Sequence, residues 1–419
     1  MARNMKDSGI EWIGKIPEGW EIKYFVQLFS QVKNKNIGLC EKNLLSLSYG
    51  KIKQKSIETV GGLLPDNFEG YNIIDRNDIV LRLTDLQNDQ HSLRVGLSHE
   101  RGIITSAYCS IRVRGAESPN YLYYYLHTFD VAKGFYGMGS GVRQGLNWDG
   151  LKYIKILLPP QHEQDRISVF LNQKTLEIDS MLSKTISSIE EYKKFKQSVI
   201  TQAVTKTIYD DFGNPSKFRK LRSLCDVLSK GTTPKDIETQ NDEFYCIRYL
   251  KSENIVSNQL NLNPTFFITA ETNNSLERSK LNSGDILFVI AGASIGKVAI
   301  TTADFLPANT NQAVAFIRLS SSYQYATKYI WYFLQSDVVK QLIALSAVQS
   351  AQPNLSLEDL GAMRLPLPDQ MGCLKITDYL DAKCAEIDKL IAKKEQLVKE
   401  LESYKKSLIY EVVTGKREV

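Results

Sequence analysis

The chain says one thing twice: residues 146–205 align without a gap onto residues 355–414, an offset of 209, with 18 of the 60 positions identical. The shared positions include Leu158-Pro159, Gln161, Lys174, Glu177-Ile178-Asp179 and Val204-Thr205 against Leu367-Pro368, Gln370, Lys383, Glu386-Ile387-Asp388 and Val413-Thr414. A segment duplicated within one chain builds a molecule of approximate two-fold symmetry. Most partners that offer two equivalent faces are dimers or duplex DNA.

In each copy a proline-bearing extended run (Ile156 to Pro160; Leu365 to Pro368) stops any helix, and in the first copy about forty residues without Gly or Pro follow it. That pattern predicts a long helix, roughly 60 Å at 1.5 Å per residue. Leu380, Ile387, Leu401 and Leu408 recur at multiples of seven, with Leu390, Leu397 and Tyr404 as the expected second stripe. In the first copy the stripes read Leu171, Ile178, Tyr192 and Val199, then Met181 and Phe195. Sustained 3.5-residue spacing with charged flanks predicts a coiled-coil seam, most simply between the two helices. One layer is polar in both copies, Thr185 and Lys394. Such a layer either fixes register or points to water.

A chain of 419 residues, 43% apolar and 24% charged, is long enough for two to three domains, and it contains no apolar run of membrane-spanning length. Met1 to Gly19 lacks the apolar core of a signal peptide. The six cysteines (Cys40, Cys109, Cys225, Cys246, Cys373, Cys384) form no C-x-x-C pair, so neither zinc nor a disulfide framework is expected, and a reduced, cytoplasmic setting fits. The net charge of +5 is weak for a protein that coats nucleic acid by electrostatics alone. Residues 1–160 carry 20 Lys/Arg against 16 Asp/Glu and residues 206–368 carry 16 against 15, so DNA affinity would need a partner's help.

The segments before the two helices share a plan. Each runs from a polar turn into a buried strand, Asn77-Asp78-Ile79-Val80-Leu81 and Gly284-Asp285-Ile286-Leu287-Phe288-Val289. A strand bearing Ile-Arg follows (Ser110 to Val113; Val314 to Leu319), then an aromatic amphipathic helix (Tyr121 to His127; Tyr329 to Gln335). The order agrees while most residues differ, as expected if two shared scaffolds read different targets.

Catalytic look-alikes fail. Ala291-Gly292-Ala293-Ser294-Ile295-Gly296-Lys297-Val298 imitates a phosphate loop, but Ala291 replaces its first Gly and Val298 its Ser/Thr. Asn263-Pro264-Thr265-Phe266 imitates a base-holding methyltransferase run with Thr in place of the second Pro, and no Gly-rich cofactor loop precedes it. Gly137 to Gly141 opens no helix. His91, His99, His127 and His162 lack metal or triad spacing. The chain reads as non-catalytic, with no metal or cofactor of its own.

Two variable segments, each followed by a run such as Leu158-Pro159-Pro160-Gln161-His162-Glu163-Gln164 that opens a long helix, resemble the specificity subunit of type I restriction-modification enzymes. Trp12-Ile13-Gly14-Lys15-Ile16-Pro17-Glu18-Gly19-Trp20 is similar to that family's entry segment, Gly231-Thr232-Thr233-Pro234 to its target-domain turn, and Gly292 to Val298 to its G-A-T-I-G-K-V run. The second copy departs from the pattern at Asp369, Met371, Gly372 and Cys373, which puts in doubt any partner contact carried there by Glu-Gln.

The resemblance implies a mixed α/β (α+β) chain: target-recognition domains at 1–157 and 207–366, separated by two long antiparallel coiled-coil helices within 158–206 and 367–419. It implies that each domain reads half of a split double-stranded DNA target. It also implies two methyltransferase subunits docked on the helices, methylating adenine N6 with S-adenosylmethionine, and restriction subunits, using ATP and magnesium, that can join. These cofactors would belong to the partners.

Bidentate donors and acceptors carry base reading, and the densest such stretches are the candidates. In the first domain they are Arg82, Thr84, Asp85, Gln87, Asn88, Asp89, Gln90, Arg94, Arg143 and Gln144, with Lys51, Lys53 and Lys55 on one strand face for phosphates. In the second they are Lys230, Thr232, Thr233, Lys235, Arg248, Lys251, Asn254, Ser294, Lys297, Asn309, Asn311, Gln349 and Gln352. A symmetric coiled-coil scaffold without sequence-specific DNA binding would explain the helices but not two divergent polar domains. A self-sufficient methyltransferase would need the missing cofactor loop. If the helix pair is a ruler between half-sites about one DNA turn, roughly 34 Å, apart, four residues inserted after Thr205 should lengthen the unread spacer and leave both half-sites unchanged.

Overall fold

A computed structural model describes residues 3–56, 67–86, 93–138, 145–205, 217–347 and 354–419. The chain forms two compact units, residues 1–185 with 396–419 and residues 186–395. The long helices, Gln161–Thr205 and Gln370–Val413, are therefore not bodies of their own. Each contributes one end to each unit.

The first unit centres on a four-stranded antiparallel sheet in the order Phe29–Gln31, Cys109–Val113, Ile79–Leu81, Val95–Leu97. The short apolar run Ile79-Val80-Leu81 is wholly buried, as a central strand must be. The helix Pro119–Val131 begins at Ser118, whose Oγ accepts from the Tyr121 amide, and carries Pro at its first turn. Its buried aromatics join the start of the first long helix (Ile167, Leu171, Ile178) and the end of the second (Leu408, Ile409, Val412, Val413) in one core. The Tyr121 hydroxyl lies within reach of two carbonyls, Leu157 at 3.0 Å and Val413 at 3.3 Å.

The second unit repeats this frame. Its sheet runs Cys225–Lys230, Val314–Leu319, Ile286–Val289, Val298–Ile300, and the helix Thr327–Leu334 packs with Ile200 and Val204 of the first long helix and Leu380 and Cys384 of the second. Tyr329 reaches the Pro366 carbonyl at 2.6 Å and Val204 at 3.2 Å. These are the counterparts of the Tyr121 contacts at the repeat offset. The unit adds a three-stranded sheet in which Tyr245–Leu250 lies between Phe267–Thr269 and the parallel Ala308–Thr310.

In both units the start of one long helix packs with the end of the other, so they run antiparallel there. Lys405 meets Asp179 at 2.6 Å in the first unit, and Lys196 meets Asp388 at 2.6 Å in the second. These pairs too are related by the offset.

The stripe through Leu171, Ile178, Leu380, Ile387 and Leu408 is buried as expected. The second stripe is corrected: Met181 and Phe195 are 54% and 55% exposed, and Leu390, Leu397 and Tyr404 also face outward. The inward partners lie four residues on rather than three, at Thr175, Leu182 and Ile189, and at Cys384, Ile391 and Val398. In the polar layer, Thr185 Oγ1 donates to the Met181 carbonyl at 2.8 Å, while Lys394 Nζ lies 5.6 Å over the Tyr192 ring. Neither side chain simply points to water.

The Glu-Gln of the first copy turns inward. Glu163 accepts from Trp20 Nε1 at 3.1 Å and pairs with Arg3 at 2.5 Å, while Gln164 accepts from the Ser118 amide and donates to the Pro159 carbonyl, both at 2.9 Å. Glu163 thus ties the entry segment to the helix start, and Gln164 ties Ser118 to it. In the second copy Asp369 Oδ1 accepts from the Gly372 amide at 2.7 Å, which satisfies a free donor of the helix start despite the glycine.

Candidate nucleic-acid interface

Each unit locks its central strands with one device. The polar turn before the buried strand places an aspartate that is nearly inaccessible to solvent, Asp78 or Asp285. Its carboxylate accepts twice from the arginine of the Ile-Arg strand. The distances are 2.7 and 2.7 Å for Arg112 and 2.8 and 2.7 Å for Arg318. The same carboxylates accept from the amides of Asp75 and Asn282, each at 2.7 Å. Asn77 and Gly284 take the positive φ that the turn requires. The paired carboxylates raise the pKa of both guanidiniums.

In the first unit, Arg94 is corrected from reader to strut. It is fully buried, donating to the carbonyls of Arg82 (3.1 Å), Thr84 (2.7 Å) and Asp85 (3.1 Å) and to the Tyr136 hydroxyl (3.1 Å). A planar guanidinium with five donors can pin a whole loop in this way. Arg82 and Asp85 are left half-buried and Thr84 exposed on the loop so held. The Leu146 amide donates to the Leu83 carbonyl at 2.9 Å, which brings Gly145 and Leu146 beside this loop. Lys51 is tied to Asp179 at 3.0 Å; Lys53 and Lys55 remain exposed. Burial works against the charge on Asp179, yet Lys405 and Lys51 together hold its pKa below the usual value. Gln87, Asn88, Asp89, Gln90, Arg143 and Gln144, and in the second unit Gln349 and Gln352, lie outside the described residues.

In the second unit the structure brings together Thr232, Thr233, Asn311 and one residue absent from the expected set, Gln312, with Lys235 near them in sequence. The Thr232 amide donates to the Thr310 carbonyl at 3.1 Å, and the Tyr249 hydroxyl donates to the Thr232 carbonyl at 2.8 Å. Gly231 is required here, because a Cβ would sit 1.8 Å from the Thr310 carbonyl oxygen. Thr233 and Gln312 are hydrogen-bonded side by side, and Asn311 Oδ1 is buried with no partner among the described residues. Thr232, Thr233, Lys235 and Gln312 are exposed, and Lys230 closes the adjacent strand opposite Ala315. Gln312 was legible only as the neighbour of Asn311.

The remaining candidates are dispersed. Asn254 and Asn309 are corrected: both are buried. Asn254 donates to the carbonyls of Asn261 and Pro264 at 2.9 and 2.7 Å, and Asn309 donates to Asn273 Oδ1 at 3.0 Å. Arg248 donates to the Asp304 carbonyl at 2.6 Å, and Lys251 Nζ sits 3.5 Å over the Phe266 ring. Ser294 and Lys297 lie in the tight connection between Ile286–Val289 and Val298–Ile300, with Gly292 and Gly296 at positive φ. This is a hairpin rather than a strand–loop–helix, so the phosphate-loop likeness has no structural basis.

Among the described residues no group of three or more His, Cys, Asp or Glu is placed to hold a metal ion, and no helix is long and apolar enough to cross a membrane.

Residues 214–400 match the family model described as the type I restriction modification DNA specificity domain. The type I restriction enzyme EcoBI specificity subunit of Escherichia coli is 27% identical over 256 residues, covering 56% of this chain and 53% of that protein, so that match spans about half the relative's length. The putative type I restriction enzyme MjaX specificity subunit of Methanocaldococcus jannaschii is 22% identical over 437 residues, covering 96% and 95%. Among solved structures, a chain from work on complex assembly and conformational transition of the type I R-M system superposes with a TM-score of 0.73. It has 14% identity, over 96% of this chain and 99% of that one. The HsdS subunit of Thermoanaerobacter tengcongensis gives 0.52 at 15% identity, over 96% and 98%. The duplicated frame, the match of residues 214–400 and the full-length fold likeness together make this chain similar to the specificity subunits of type I restriction-modification enzymes.

Proposed function

We propose that each unit reads one half of a gapped double-stranded DNA target and that the chain, itself non-catalytic, directs adenine-N6 methylation by partner subunits in the cytoplasm. The observation that carries this is a repeated frame under unlike loops. The Tyr121 and Tyr329 contacts and the Asp78–Arg112 and Asp285–Arg318 locks are equivalent. The surfaces they support differ: the Arg82 to Leu86 loop in one unit, and the Thr232, Thr233 and Gln312 cluster in the other. Paired scaffolds with different polar tips suit two different half-sites.

The outward apolar residues of the long helices support docking of two methyltransferase subunits. Val169, Leu176 and Leu397 in the first unit and Phe195, Leu374 and Leu390 in the second are exposed, and exposed apolar patches of this kind mark interaction surfaces. S-adenosylmethionine would then be held by those partners, and ATP and magnesium by restriction subunits where these join. The test is long-read methylome sequencing of cells expressing the methyltransferase subunit with and without this chain. A new gapped motif, methylated on adenine in both strands only when the chain is present, supports the reading. A soluble complex that creates no motif refutes it in favour of a scaffold.

A further inference from the structure

In each unit a two-stranded antiparallel ribbon leads into a long helix. In the first, Glu21–Tyr24 pairs with Lys155–Leu158; in the second, Lys217–Lys220 pairs with Arg364–Leu367. The registers correspond position for position, because Glu21 faces Leu158 as Lys217 faces Leu367, and Tyr24 faces Lys155 as Lys220 faces Arg364. The charges correspond only in part: Lys23 and Lys155 stand where Arg219 and Arg364 do, but Glu21 and Tyr24 stand where Lys217 and Lys220 do. The first ribbon carries Glu21, a Lys23 paired with Glu117 at 3.4 Å, and Lys155, which donates to the Gly9 carbonyl. The second carries Lys217, Arg219, Lys220 and Arg364, all exposed and none in an ion pair among the described residues.

The first ribbon shows that the fold builds this element with only two of the four cations, each of them given a partner. Like charges directly opposite on adjacent strands are destabilising, and Lys220 and Arg364 are directly opposite. Four cations without an ion pair among the described residues, two of them directly opposed, on an element whose twin carries only Lys23 and Lys155 and gives each a partner, call for an anion outside the chain. Lys217 and Arg219, two apart on a strand, are spaced about 7 Å, a repeat that suits successive charges along a polyanion rather than one small ion. The long exposed side chains can follow a backbone without reading bases.

We infer that the ribbon Lys217–Lys220 with Arg364 is a sequence-independent contact for the phosphate backbone of DNA, separate from the loops that read bases. The inference rests on the DNA-reading function proposed above. It names a surface which that function does not require.

The experiment compares the full chain, assembled with its methyltransferase subunits, with the same complex carrying Lys217→Ala, Arg219→Ala, Lys220→Ala and Arg364→Ala together. Affinity is measured by fluorescence anisotropy for target and non-target duplexes across a range of salt concentrations. The expected result is an equal fold-loss of affinity on both duplexes. The slope of log affinity against log salt becomes shallower by about 0.9 for each phosphate no longer neutralised, up to about 3.6 for four, while the methylated motif is unchanged. The charge-preserving variant (Lys217→Arg, Arg219→Lys, Lys220→Arg, Arg364→Lys) retains the parental slope. An unchanged slope in the alanine variant overturns the inference, as does dissociation of the methyltransferase subunits from that variant, which would mark the ribbon as a protein contact. If the parental complex shows no preference for any gapped target, the base-reading proposal falls, yet the slope on non-target DNA still decides the ribbon.

Discussion

Removing the carboxylate of Asp285 should open the second recognition domain far more readily than removing that of Asp78 opens the first. Both aspartates are buried, both hold a guanidinium with two hydrogen bonds, and both accept from a turn amide. Their arginines differ in what remains. Without Asp285, Arg318 keeps one hydrogen bond among the described residues, to the Lys280 carbonyl at 2.9 Å, with the Phe316 ring at 5.7 Å and the Asp226 charge nearby, and its side chain is 27% exposed. Without Asp78, Arg112 keeps Asp75 at 2.7 Å, and at 46% exposure water reaches it. Breaking a buried pair costs roughly 3–5 kcal/mol. Partial exposure places Asp285→Ala near the lower end, at about 3 kcal/mol, and the residual partner reduces Asp78→Ala to about 1–2 kcal/mol. Hydrogen–deuterium exchange on the full chain reads each domain separately. Amides of Ile286–Val289 and Val314–Leu319 should exchange about a hundredfold faster in Asp285→Ala, and those of Ile79–Leu81 and Cys109–Val113 about tenfold faster in Asp78→Ala. Equal acceleration in the two variants, or less than tenfold in Asp285→Ala, would refute the claim that these pairs lock the sheets.

Three further outcomes follow from the same structure. Burial, reinforced by Lys405 and Lys406, pushes His127 down to about 4. The unfolded chain therefore binds the extra proton between about pH 6.5 and 4, and the stability His127 contributes is present above that window and lost as pH falls through it. Denaturation midpoints across the window should decline less in His127→Gln than in the parent. Tyr329→Phe removes the donor to the Pro366 and Val204 carbonyls and should cost about 1–3 kcal/mol in urea unfolding; a change within error would contradict that bond's role. On the long helices, Ile189→Ala and Val398→Ala should lower the thermal midpoint, whereas Leu390→Ser and Leu397→Ser should leave it unchanged and weaken methyltransferase assembly. The opposite pattern would mean that the inward and outward stripes have been exchanged.

The helices and central strands were legible because their signals are local: a long stretch free of Gly and Pro, and apolar runs such as Ile79-Val80-Leu81 bounded by turn residues. The seam was half legible. The inward positions four residues on include Thr175, Cys384, Lys196 and Lys405, whereas the outward positions three residues on include Met181, Phe195, Leu390 and Leu397. An exposed apolar stripe and one facing a partner helix look alike in sequence, so polarity chose the wrong one. Arg94, Asn254 and Asn309 were misassigned for a related reason, since hydrogen-bonding capacity serves a buried loop as readily as a base. The Thr233–Gln312 pairing joins residues 79 apart, and no local pattern announces it.

The central claim is that each unit reads one half-site independently. It is tested most directly by replacing residues 217–366 with the corresponding segment of a relative of known target and sequencing the methylome. The account expects a hybrid motif in which one half-site is the relative's, the other is the parent's and both are adenine-methylated. A motif changed in both halves, or unchanged in both, would contradict it.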